Sequence, residues 1–455
     1  MKKYHFIAIG GIGMSGLAKY LLENGYEVSG SDVCDSKYIT KLRELGAKVY
    51  IGHDENNLPD DCVVVASTAI KEDNPELQKA KRLGLTIYHR SDVLKVLSEQ
   101  GKFFLGYAGT HGKTTTSGLS SYVLEKAGLK PSYVVGGILP DINTNAHCQD
   151  GKYFCAELDE SDGTVVKYRP DVVVINNLEA DHLDFYKNGL DSIIETFGKF
   201  LSTLKDGAIV LANNDNDGVK KLIATYNTGA CKIYTYALNS EADYVAKNIE
   251  YSEEYTTYDI FFKNQFLVKM KICLKGTHNV YNSLAVFASL HQAGVDINLV
   301  LPHFADFTGM GRRFQKVCEF DGITVYDDYA HHPTEIKAAL SSALSFKNRR
   351  VVAVFQPHRY TRLQSLWDDF KGAFKGVDRV VVTDVYAASE QPIDGISADN
   401  FVKGTNFEYL AGGIDEVAKK LLPTLKSGDV VIGLGAGTIT NLGKELLKGL
   451  EKVGA

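Results

Sequence analysis

The residues from Gly109 to Thr115 have the types and spacing that bind the phosphates of a nucleotide. They read Gly109-Thr110-His111-Gly112-Lys113-Thr114-Thr115 and come shortly after the apolar residues 103–105. Glycines between a strand and a helix expose backbone N–H groups at the helix N-terminus, where an anion binds. Lys113 would add a positive charge for the terminal phosphates, and the Thr114 hydroxyl could reach a Mg²⁺ ion. The stretch predicts a phosphate-binding loop of the short form G-T-x-G-K-T, because Tyr107 replaces the first glycine of the longer consensus.

A second glycine-rich turn lies near the N-terminus, between a strand predicted at residues 5–9 and a helix predicted to end near residue 24. The turn would let the backbone approach a diphosphate, and Asp32, at the end of the next strand, could bind a ribose hydroxyl. NAD, FAD and a UDP-sugar fit this pattern equally well. The turn residues that could contact such a ligand are Gly10, Gly11, Gly13, Met14 and Ser15.

Three polar residues follow later strands of the same region, where open α/β sheets bind ligands. They are His53, Ser67 and Thr68, and a single residue at such a position is more often an ordinary turn residue than a ligand contact.

Two acidic segments follow strands predicted at residues 153–156 and 172–175. Glu157 is the first residue after its strand and is the best placed to bind Mg²⁺, which takes one or two carboxylates together with phosphates. Imidazole is an uncommon Mg²⁺ ligand, so the residue type alone favours a structural role for His182. Asn279 and Asn282 could cap and flank a helix, or their amides could contact the edge of a purine.

A third group of candidates lies in the last part of the chain, at the ends of strands predicted at residues 323–326 and 351–355. The segments there read DDYAHHP at residues 327–333 and QPHRYTR at residues 356–362. Histidine, aspartate and arginine clustered at strand ends indicate a functional site.

The elements that must position these groups predict an α/β chain with three domains, because 455 residues exceed what one core holds. Residues 1–101 and 312–455 each alternate strands and helices, as in a Rossmann-like domain. Residues 102–311 are predicted to form a P-loop ATPase-like domain, whose sheet is mixed because residues 251–273 alternate like antiparallel strands.

Composition excludes several classes of protein. The net charge of −6 gives no overall basic field for nucleic acid. Seven cysteines without a C-x-x-C pair favour reduced thiols over a zinc site. Glycines interrupt the apolar N-terminal run, which argues against a signal peptide, and no window holds 18 consecutive apolar residues. We therefore expect a cytoplasmic protein without membrane contact.

Nine motifs in family order make the chain resemble the Mur ligases of peptidoglycan synthesis. They are IGGIGMSG, SGSD, GTHGKTTT, AELDESDG, the DH of EADHLD, HNVYNSLA, GRRFQ, DDYAHHPTE and QPHRYTR, and they span residue 7 to about residue 362. The resemblance implies a UDP-sugar-binding first domain, an ATP-binding second domain, and a third that closes over the ATP and binds the amino acid. It is strongest to members that join L-alanine to the lactyl carboxylate of UDP-N-acetylmuramate through an acyl phosphate, forming ADP and phosphate.

The resemblance also implies roles for individual residues. Lys113 would contact the β- and γ-phosphates, and Thr114, Glu157 and His182 would serve two Mg²⁺ ions, for which Mn²⁺ could substitute. This reverses the interpretation of His182 from its residue type. Asn279 and Asn282 would contact adenine, and Arg313 and Asp328 the nucleotide. The residues near the muramyl carboxylate and the alanine would be Tyr329, His331, Arg359 and Arg362. We expect His331 to be the base that accepts the proton of the amine, because imidazole titrates near neutrality.

Two positions depart from the family pattern. Several relatives have a carbamylated lysine where this chain has Phe197, so no such modification is predicted. Near the C-terminus, Thr438 ends a Gly-Ala-Gly-Thr stretch where the family commonly has aspartate, which leaves its role open.

Other functions remain open at this point. A murein tripeptide ligase of wall recycling shares the motifs and uses a different amine. An NAD-dependent oxidoreductase would use the first glycine-rich turn, but would give no purpose to the phosphate loop. A nucleotide-gated binding protein would bind the UDP-sugar without forming ADP. We expect either a monomer or a homodimer.

Overall fold

The computed structural model describes residues 2–67, 70–139, 141–182, 185–227, 229–252, 254–346, 348–388 and 390–453. These residues form three β-sheets. The chain divides into two compact units, Met1–Cys273 with Asn279–Phe307, and Leu274–His278 with Thr308–Ala455. The three-domain α/β fold predicted from the sequence is confirmed.

The first sheet has five parallel strands in the order β3-β2-β1-β4-β5, the Rossmann-like arrangement predicted for this region. Its strands are β1 Lys3–Ile7, β2 Glu27–Asp32, β3 Lys48–Ile51, β4 Val63–Ala66 and β5 Ile87–His89. Its helices are α1 Ile12–Glu23, α2 Lys37–Glu44, α3 Pro75–Arg82 and α4 Arg90–Ser98. The first strand ends two residues earlier than predicted, because Ala8 takes a left-handed backbone conformation (φ 62°) and begins the glycine-rich turn.

The second sheet has ten strands in the order β15-β14-β13-β12-β11-β10-β6-β9-β7-β8. Its first strands are β6 Phe103–Ala108, β7 Ser132–Leu139, β8 Thr144–His147, β9 Tyr153–Glu157 and β10 Val172–Ile175. The remaining strands are β11 Ile209–Asn213, β12 Lys232–Ala237, β13 Tyr244–Tyr251, β14 Thr256–Phe262 and β15 Gln265–Ile272. Its helices are α5 Lys113–Lys126, α6 Leu190–Thr203, α7 Asp217–Tyr226, α8 Thr277–Gln292 and α9 Ile297–Val300.

Strand β6 is central to this sheet and explains where the site lies. It pairs in parallel with β9 on one side and β10 on the other, with Tyr107 opposite Glu157 and Ala108 opposite Ile175. The carboxyl ends of the three strands therefore meet beside the phosphate loop. At the far side of the sheet, β13, β14 and β15 are antiparallel, which confirms the mixed sheet predicted from the alternating residues there.

The first and second sheets share one hydrophobic core, which the sequence did not indicate. Tyr20 of α1 packs edge-on against Phe154 of β9, with ring centroids 5.9 Å apart. At the rim, Lys19 Nζ donates to the Ala146 carbonyl at 2.7 Å, and the Asn145 amide donates to the Ile12 carbonyl at 2.7 Å. Sheets one and two are consequently parts of a single compact unit.

The third sheet has six strands in the order β16-β17-β21-β18-β19-β20, with only the β16–β17 pair antiparallel. Its strands are β16 Gln315–Phe320, β17 Ile323–Asp328, β18 Val351–Phe355, β19 Arg379–Val382, β20 Glu408–Tyr409 and β21 Val430–Leu434. Its helices are α10 Pro333–Leu344, α11 Tyr360–Ser365, α12 Trp367–Ala373, α13 Ala398–Val402, α14 Ile414–Leu421 and α15 Leu442–Val453. Separate hydrophobic clusters cover its faces, as in a doubly wound sheet.

Across the described ranges, no helix combines the length and apolar character needed to cross a membrane. All seven cysteines are free.

Candidate active site

The phosphate loop connects β6 to α5, and its glycines have conformations that other residues rarely adopt. Gly109 and Gly112 have φ values of 122° and 83°. A Cβ at Gly109 would also lie 2.8 Å from the carbonyl oxygen of Asn177, so no side chain fits there. Helix α5 begins at Lys113 without a side-chain cap, which leaves the N–H groups of its first turn directed at the loop. Thr115 lies half-buried in that turn.

Two asparagines after β10 hold this loop in place. The backbone N–H groups of Thr110 and His111 donate to the carbonyl and the side-chain oxygen of Asn177, at 2.9 and 2.7 Å. The Asn176 amide donates to the His111 carbonyl at 3.2 Å. Thr110 also accepts a hydrogen bond from the Glu179 N–H at 2.9 Å. The sequence placed these asparagines at a strand end but gave no sign that they bind the loop.

Lys113 is the positive charge predicted for the terminal phosphates, and it lies within the loop. Its Nζ donates to the carbonyls of Gly109 and Thr110 at 2.7 and 3.0 Å, and to Glu160 Oε1 at 3.0 Å. Burial raises the pKa of Glu160 to about 7, although Lys113 acts in the opposite direction. Burial would lower the pKa of Lys113, but the nearby carboxylates, chiefly Glu160, outweigh burial and raise it. Glu160 is a site residue that sequence analysis missed.

Thr114 and Glu157, two of the three predicted metal ligands, are in contact. The Thr114 hydroxyl donates to Glu157 Oε1 at 3.1 Å, and the Gly136 N–H donates to Oε2 at 2.9 Å. A hydroxyl and a carboxylate beside a phosphate loop are hard oxygen donors, so this pair fits one Mg²⁺ ion bound together with phosphates.

His182, the third predicted metal ligand, is bound to its neighbour in the chain. It has φ 51°, its N–H donates to Asp181 Oδ1 at 2.7 Å, and its Nε2 lies 3.8 Å from Asp181 Oδ2. Within the described ranges, no group of three His, Cys, Asp or Glu side chains is arranged to hold a metal. The role of His182 stays a prediction.

Asn279 and Asn282, predicted to contact adenine, lie buried on the first turns of α8. The Asn282 amide donates to Asn279 Oδ1 at 3.1 Å. A Cβ at Gly112 would lie 2.7 Å from Asn282 Oδ1, so Asn282 packs directly against the phosphate loop. The structure thus brings this predicted nucleotide contact to the loop.

The glycine-rich turn before α1 is held by Asp32, the residue predicted to bind ribose. Asp32 Oδ2 accepts the Gly10 N–H at 2.8 Å, so at least one carboxylate oxygen shapes the turn. Met14 is packed in the hydrophobic core, and the Ser15 hydroxyl donates to the Ile12 carbonyl at 3.1 Å. Gly11 and Gly13 present backbone only, and α1 starts without a side-chain cap. A ligand here would therefore meet mainly backbone N–H groups.

His53 is tied to a buried carboxylate that is distant in sequence. Its Nδ1 lies 2.8 Å from the Ser31 hydroxyl, which donates to Glu76 Oε2 at 2.6 Å. Fully buried His5 also contacts Glu76, at 3.2 Å from Nε2. Ser67 lies half-buried directly after β4, and Thr68 is outside the described residues.

In the second unit, the predicted residues Tyr329, His331 and Arg362 form a cluster with His358 and Glu335. His331 Nδ1 lies 3.0 Å from the Tyr329 carbonyl and 3.3 Å from Glu335 Oε2. Arg362 Nη1 donates to His358 Nδ1 at 3.0 Å, and the two imidazole centroids are 5.7 Å apart. Burial, His331 and the arginines lower the pKa of His358 to about 3. Burial also lowers the pKa of His331.

Arg313, Asp328 and Arg359 have well-defined contacts in the same unit. Arg313 Nη1 lies 3.6 Å from Glu335 Oε1. The two oxygens of Asp328 accept the N–H groups of Phe314 and Ala330, each at 2.7 Å, and burial raises its pKa to about 6. Arg359 has φ 69°, and its N–H donates to the Tyr386 carbonyl at 2.9 Å. Asp328 thus holds its own loop, and its predicted contact with the nucleotide stays a prediction.

Thr438 binds Gln356, the residue that follows β18. The Gln356 amide donates to the Thr438 hydroxyl at 3.0 Å, and the Ile439 N–H donates to Gln356 Oε1 at 3.0 Å. Thr438 therefore has a structural partner at the carboxyl ends of the third sheet.

Each group of residues suits one kind of chemistry. The loop of Lys113, with Glu157 beside it, can bind a triphosphate and stabilise charge that develops on a transferred phosphoryl group. The histidines and arginines of the second unit can bind carboxylates and accept a proton.

Three family models match successive parts of the chain. They are described as Mur ligase family, catalytic domain, at residues 3–102, Mur ligase middle domain at residues 108–290, and Mur ligase, glutamate ligase domain, at residues 312–437. In chain order they correspond to the three sheets, and residues 103–107 of β6 lie between the first two models.

Individual relatives match over the whole chain. A curated UDP-N-acetylmuramate–L-alanine ligase of Syntrophotalea carbinolica is 41% identical over 457 residues, which covers 99% of each chain. The solved structure of UDP-N-acetylmuramate–alanine ligase from Thermotoga maritima is 28% identical with a TM-score of 0.83, covering 100% of this chain and 99% of that chain. The solved structure of a UDP-N-acetylmuramate:L-alanyl-γ-D-glutamyl-meso-diaminopimelate ligase from Neisseria meningitides is 30% identical with a TM-score of 0.62, covering 69% of this chain and 100% of that chain.

Proposed function

The chain belongs to the Mur ligase family, and we propose that it joins L-alanine to the lactyl carboxylate of UDP-N-acetylmuramate, with ATP as the energy source. The observation that carries this function is the 41% identity to a curated enzyme of that activity, which extends over 99% of both chains. The reaction is a step of peptidoglycan precursor synthesis, and so of cell-wall biogenesis, cell shape and division. We propose that it takes place in the cytoplasm, in a monomer or a homodimer.

The first chemical step activates an unreactive carboxylate. A lactyl oxygen attacks the γ-phosphorus of ATP, the bond to the bridging oxygen of ADP breaks, and an acyl phosphate forms. Because two anions approach each other, the barrier falls mainly through charge neutralisation and positioning. We propose that the N–H groups at the start of α5 and the ammonium group of Lys113, which lies within the phosphate loop, supply the donors and the charge for this step. We propose that Arg313 supplies a second positive charge.

Thr114 and Glu157 would hold Mg²⁺ with the phosphates, and the ion when bound would neutralise phosphate charge. We also propose that His182 serves a second ion and that Mn²⁺ can replace Mg²⁺.

The second step forms the amide. The amine of L-alanine attacks the acyl carbonyl, the C–O bond to phosphate breaks, and a base takes a proton from the nitrogen. We propose His331 as that base. Its Nδ1 lies 3.0 Å from the carbonyl oxygen of Tyr329, which can only accept, so the neutral ring carries its proton on Nδ1 and has a lone pair on Nε2.

The remaining predicted residues are proposed to bind the substrates. For the nucleotide they are Gly109, Thr110, His111, Gly112, Thr115, Asn279, Asn282 and Asp328. For the UDP-sugar they are Gly10, Gly11, Gly13, Met14, Ser15, Asp32, His53 and Ser67. For the muramyl carboxylate and the alanine they are Tyr329, Arg359 and Arg362.

A second candidate is a tripeptide ligase, favoured by the 30% identity to the Neisseria enzyme over 69% of this chain. The two candidate functions differ only in the amine that is joined to UDP-N-acetylmuramate. The test measures ADP formation by the purified chain in the presence of ATP, Mg²⁺ and UDP-N-acetylmuramate. Four parallel reactions differ in the amine: L-alanine, another single amino acid, the tripeptide, or no amine. We expect ADP formation to depend on L-alanine. ADP formed only with the tripeptide would replace this function by the second, and no ADP with any amine would refute both.

A further inference from the structure

Arg90 lies beside the glycine-rich turn of the first domain, although it comes from another element. It is the first residue of α4, immediately after β5. A Cβ built at Gly13 would lie 3.7 Å from Arg90 Nη1 and would meet no other heavy atom within 4 Å. The guanidinium group therefore borders the open space above the first turn of α1.

Most hydrogen-bond donors of Arg90 are available to a ligand. A guanidinium has five N–H groups in a planar fork. Within the described residues, the one acceptor of Arg90 is Asp159, which binds Nη2. Nη1, the nitrogen nearest Gly13, has no acceptor there.

Asp159 lies in a segment that pairs with the first residues of two helices, α4 and α5. It pairs with Arg90, and its neighbour Glu160 pairs with Lys113 of the phosphate loop. The segment 159–160 therefore connects the glycine-rich turn to the phosphate loop through charge pairs.

We propose that Arg90 binds the diphosphate of the UDP-sugar above Gly13, and that Asp159 holds its guanidinium in position. This assignment rests on the proposed function, which gives that turn a UDP-sugar to bind. The planar fork of an arginine guanidinium can bind two phosphate oxygens with two parallel N–H groups. The uncapped N-terminus of α1 supplies backbone donors to the same anion. In this arrangement Arg90 is a binding residue and Asp159 a positioning residue.

The Arg90–Asp159 pair does not by itself fasten α4 to the second sheet. Lys167 Nζ donates to Asp92 Oδ1 at 2.6 Å and to the Ser91 hydroxyl at 3.0 Å, at the same end of the helix. The removal of Arg90 should therefore leave a folded protein, and its effect on ligand binding can be measured directly.

The test compares binding constants by titration calorimetry in the full-length protein, without ATP. The variants are Arg90→Ala, Arg90→Gln, which keeps a donor to Asp159 without the charge, and Asp159→Asn. Lys95→Ala is the matched control, because it removes one positive charge from the exposed face of the same helix. The probes are UDP-N-acetylmuramate and UDP, each titrated alone.

We expect Arg90→Ala and Arg90→Gln to raise the Kd of UDP-N-acetylmuramate roughly 10- to 100-fold, the effect of losing a charge-assisted hydrogen bond. UDP should show the same ratio, because the lost contact is to the diphosphate. Asp159→Asn should weaken binding less, and a variant that combines Arg90→Ala with Asp159→Asn should bind like Arg90→Ala alone. Lys95→Ala should bind normally.

The results separate this assignment from the proposed function. If the wild-type protein binds neither UDP-N-acetylmuramate nor UDP, both are wrong. If the wild type binds and the Arg90 variants bind equally well, only the role of Arg90 is wrong. An unchanged Kd in Asp159→Asn, beside a raised Kd in Arg90→Ala, would remove the positioning role of Asp159. If the Arg90 and Asp159 variants melt at equally lowered temperatures and bind both probes normally, the pair stabilises the fold and does not bind the diphosphate.

Discussion

Lys113 is held by a buried carboxylate, so its effect on stability and its effect on turnover can be measured separately. In Lys113→Ala, the Glu160 side chain would lose its countercharge while only 2% exposed. Removing one partner of a fully ionised buried pair costs on the order of 3–5 kcal/mol. Because burial already raises the pKa of Glu160 to about 7, its carboxyl can take up a proton when Lys113 is lost, so we expect a smaller loss of about 1–3 kcal/mol. The single variant should therefore melt at a clearly lower temperature than the wild type.

The double variant Lys113→Ala/Glu160→Gln removes both charges, and we expect it to recover most of this stability. Its turnover should stay low, since neither alanine nor glutamine supplies positive charge to the terminal phosphates. The loss of one preorganised donor lowers kcat about 10²- to 10³-fold, or roughly 2.7–4 kcal/mol in the barrier. Stability and catalysis should thus respond differently to the second substitution.

The assay pairs thermal unfolding with ADP formation from ATP, UDP-N-acetylmuramate and L-alanine. Lys126→Ala is the control, because Lys126 is exposed at the other end of α5 and its loss changes the net charge equally. A double variant that melts like the wild type and also turns over within a few-fold of it would show that Lys113 is not needed for phosphoryl transfer. The assignment of the phosphate loop would then be wrong.

Three further predictions concern single side chains. Phe197 is fully buried in α6 with its ring 6.2 Å from that of Phe200, so Phe197→Ala should lower the free energy of unfolding by about 3–5 kcal/mol, measured by denaturant titration. Because burial lowers the pKa of His331 below 6.5, its neutral, proton-accepting form persists to lower pH. The acid limb of the kcat profile should lie below pH 6.5 and be absent in His331→Ala, whereas an unchanged profile would exclude this base. In Glu157→Gln, half-maximal ADP formation should require roughly 10- to 100-fold more Mg²⁺, and an unchanged Mg²⁺ titration would contradict the metal site.

The order of the elements and the phosphate loop could be predicted because their signals are local. A buried strand, two glycines and a Lys-Thr pair lie within a few residues, and the structure shows them as β6, the loop and α5. Glu160 could not be predicted in the same way. The segment AELDESDG offers several carboxylates, and which one meets Lys113 depends on how the chain leaves β9.

Asp32 and Asp328 show a related limit of sequence analysis. Residue type and position at a strand end indicated a ligand contact for Asp32, and the family resemblance implied one for Asp328; both stay predictions. In the structure their oxygens accept backbone N–H groups of Gly10, and of Phe314 and Ala330. An aspartate can shape a turn or bind a substrate at the same sequence position, and only the geometry of the neighbouring backbone distinguishes the two.

The common core of the first two sheets is another feature that depends on distant contacts. The hydrophobic residues of α1 have the periodicity of any helix that packs on a sheet. That Tyr20 faces Phe154 of another sheet depends on residues more than a hundred positions apart. The sequence therefore did not indicate that the first two sheets pack into one compact unit.

The segment Leu274–His278 belongs to the same compact unit as Thr308–Ala455, although Asn279–Phe307 lies between them in the chain. The Ser342 hydroxyl donates to the Lys275 carbonyl at 3.4 Å within that unit. A recombinant fragment that starts at Thr308 would lack part of its own packing, and one that starts at Leu274 would carry residues that fold with the remainder of the protein. Independent expression of both units would therefore need a rearranged gene that splices the short segment to the C-terminal part, since a single cut leaves one of the two units incomplete.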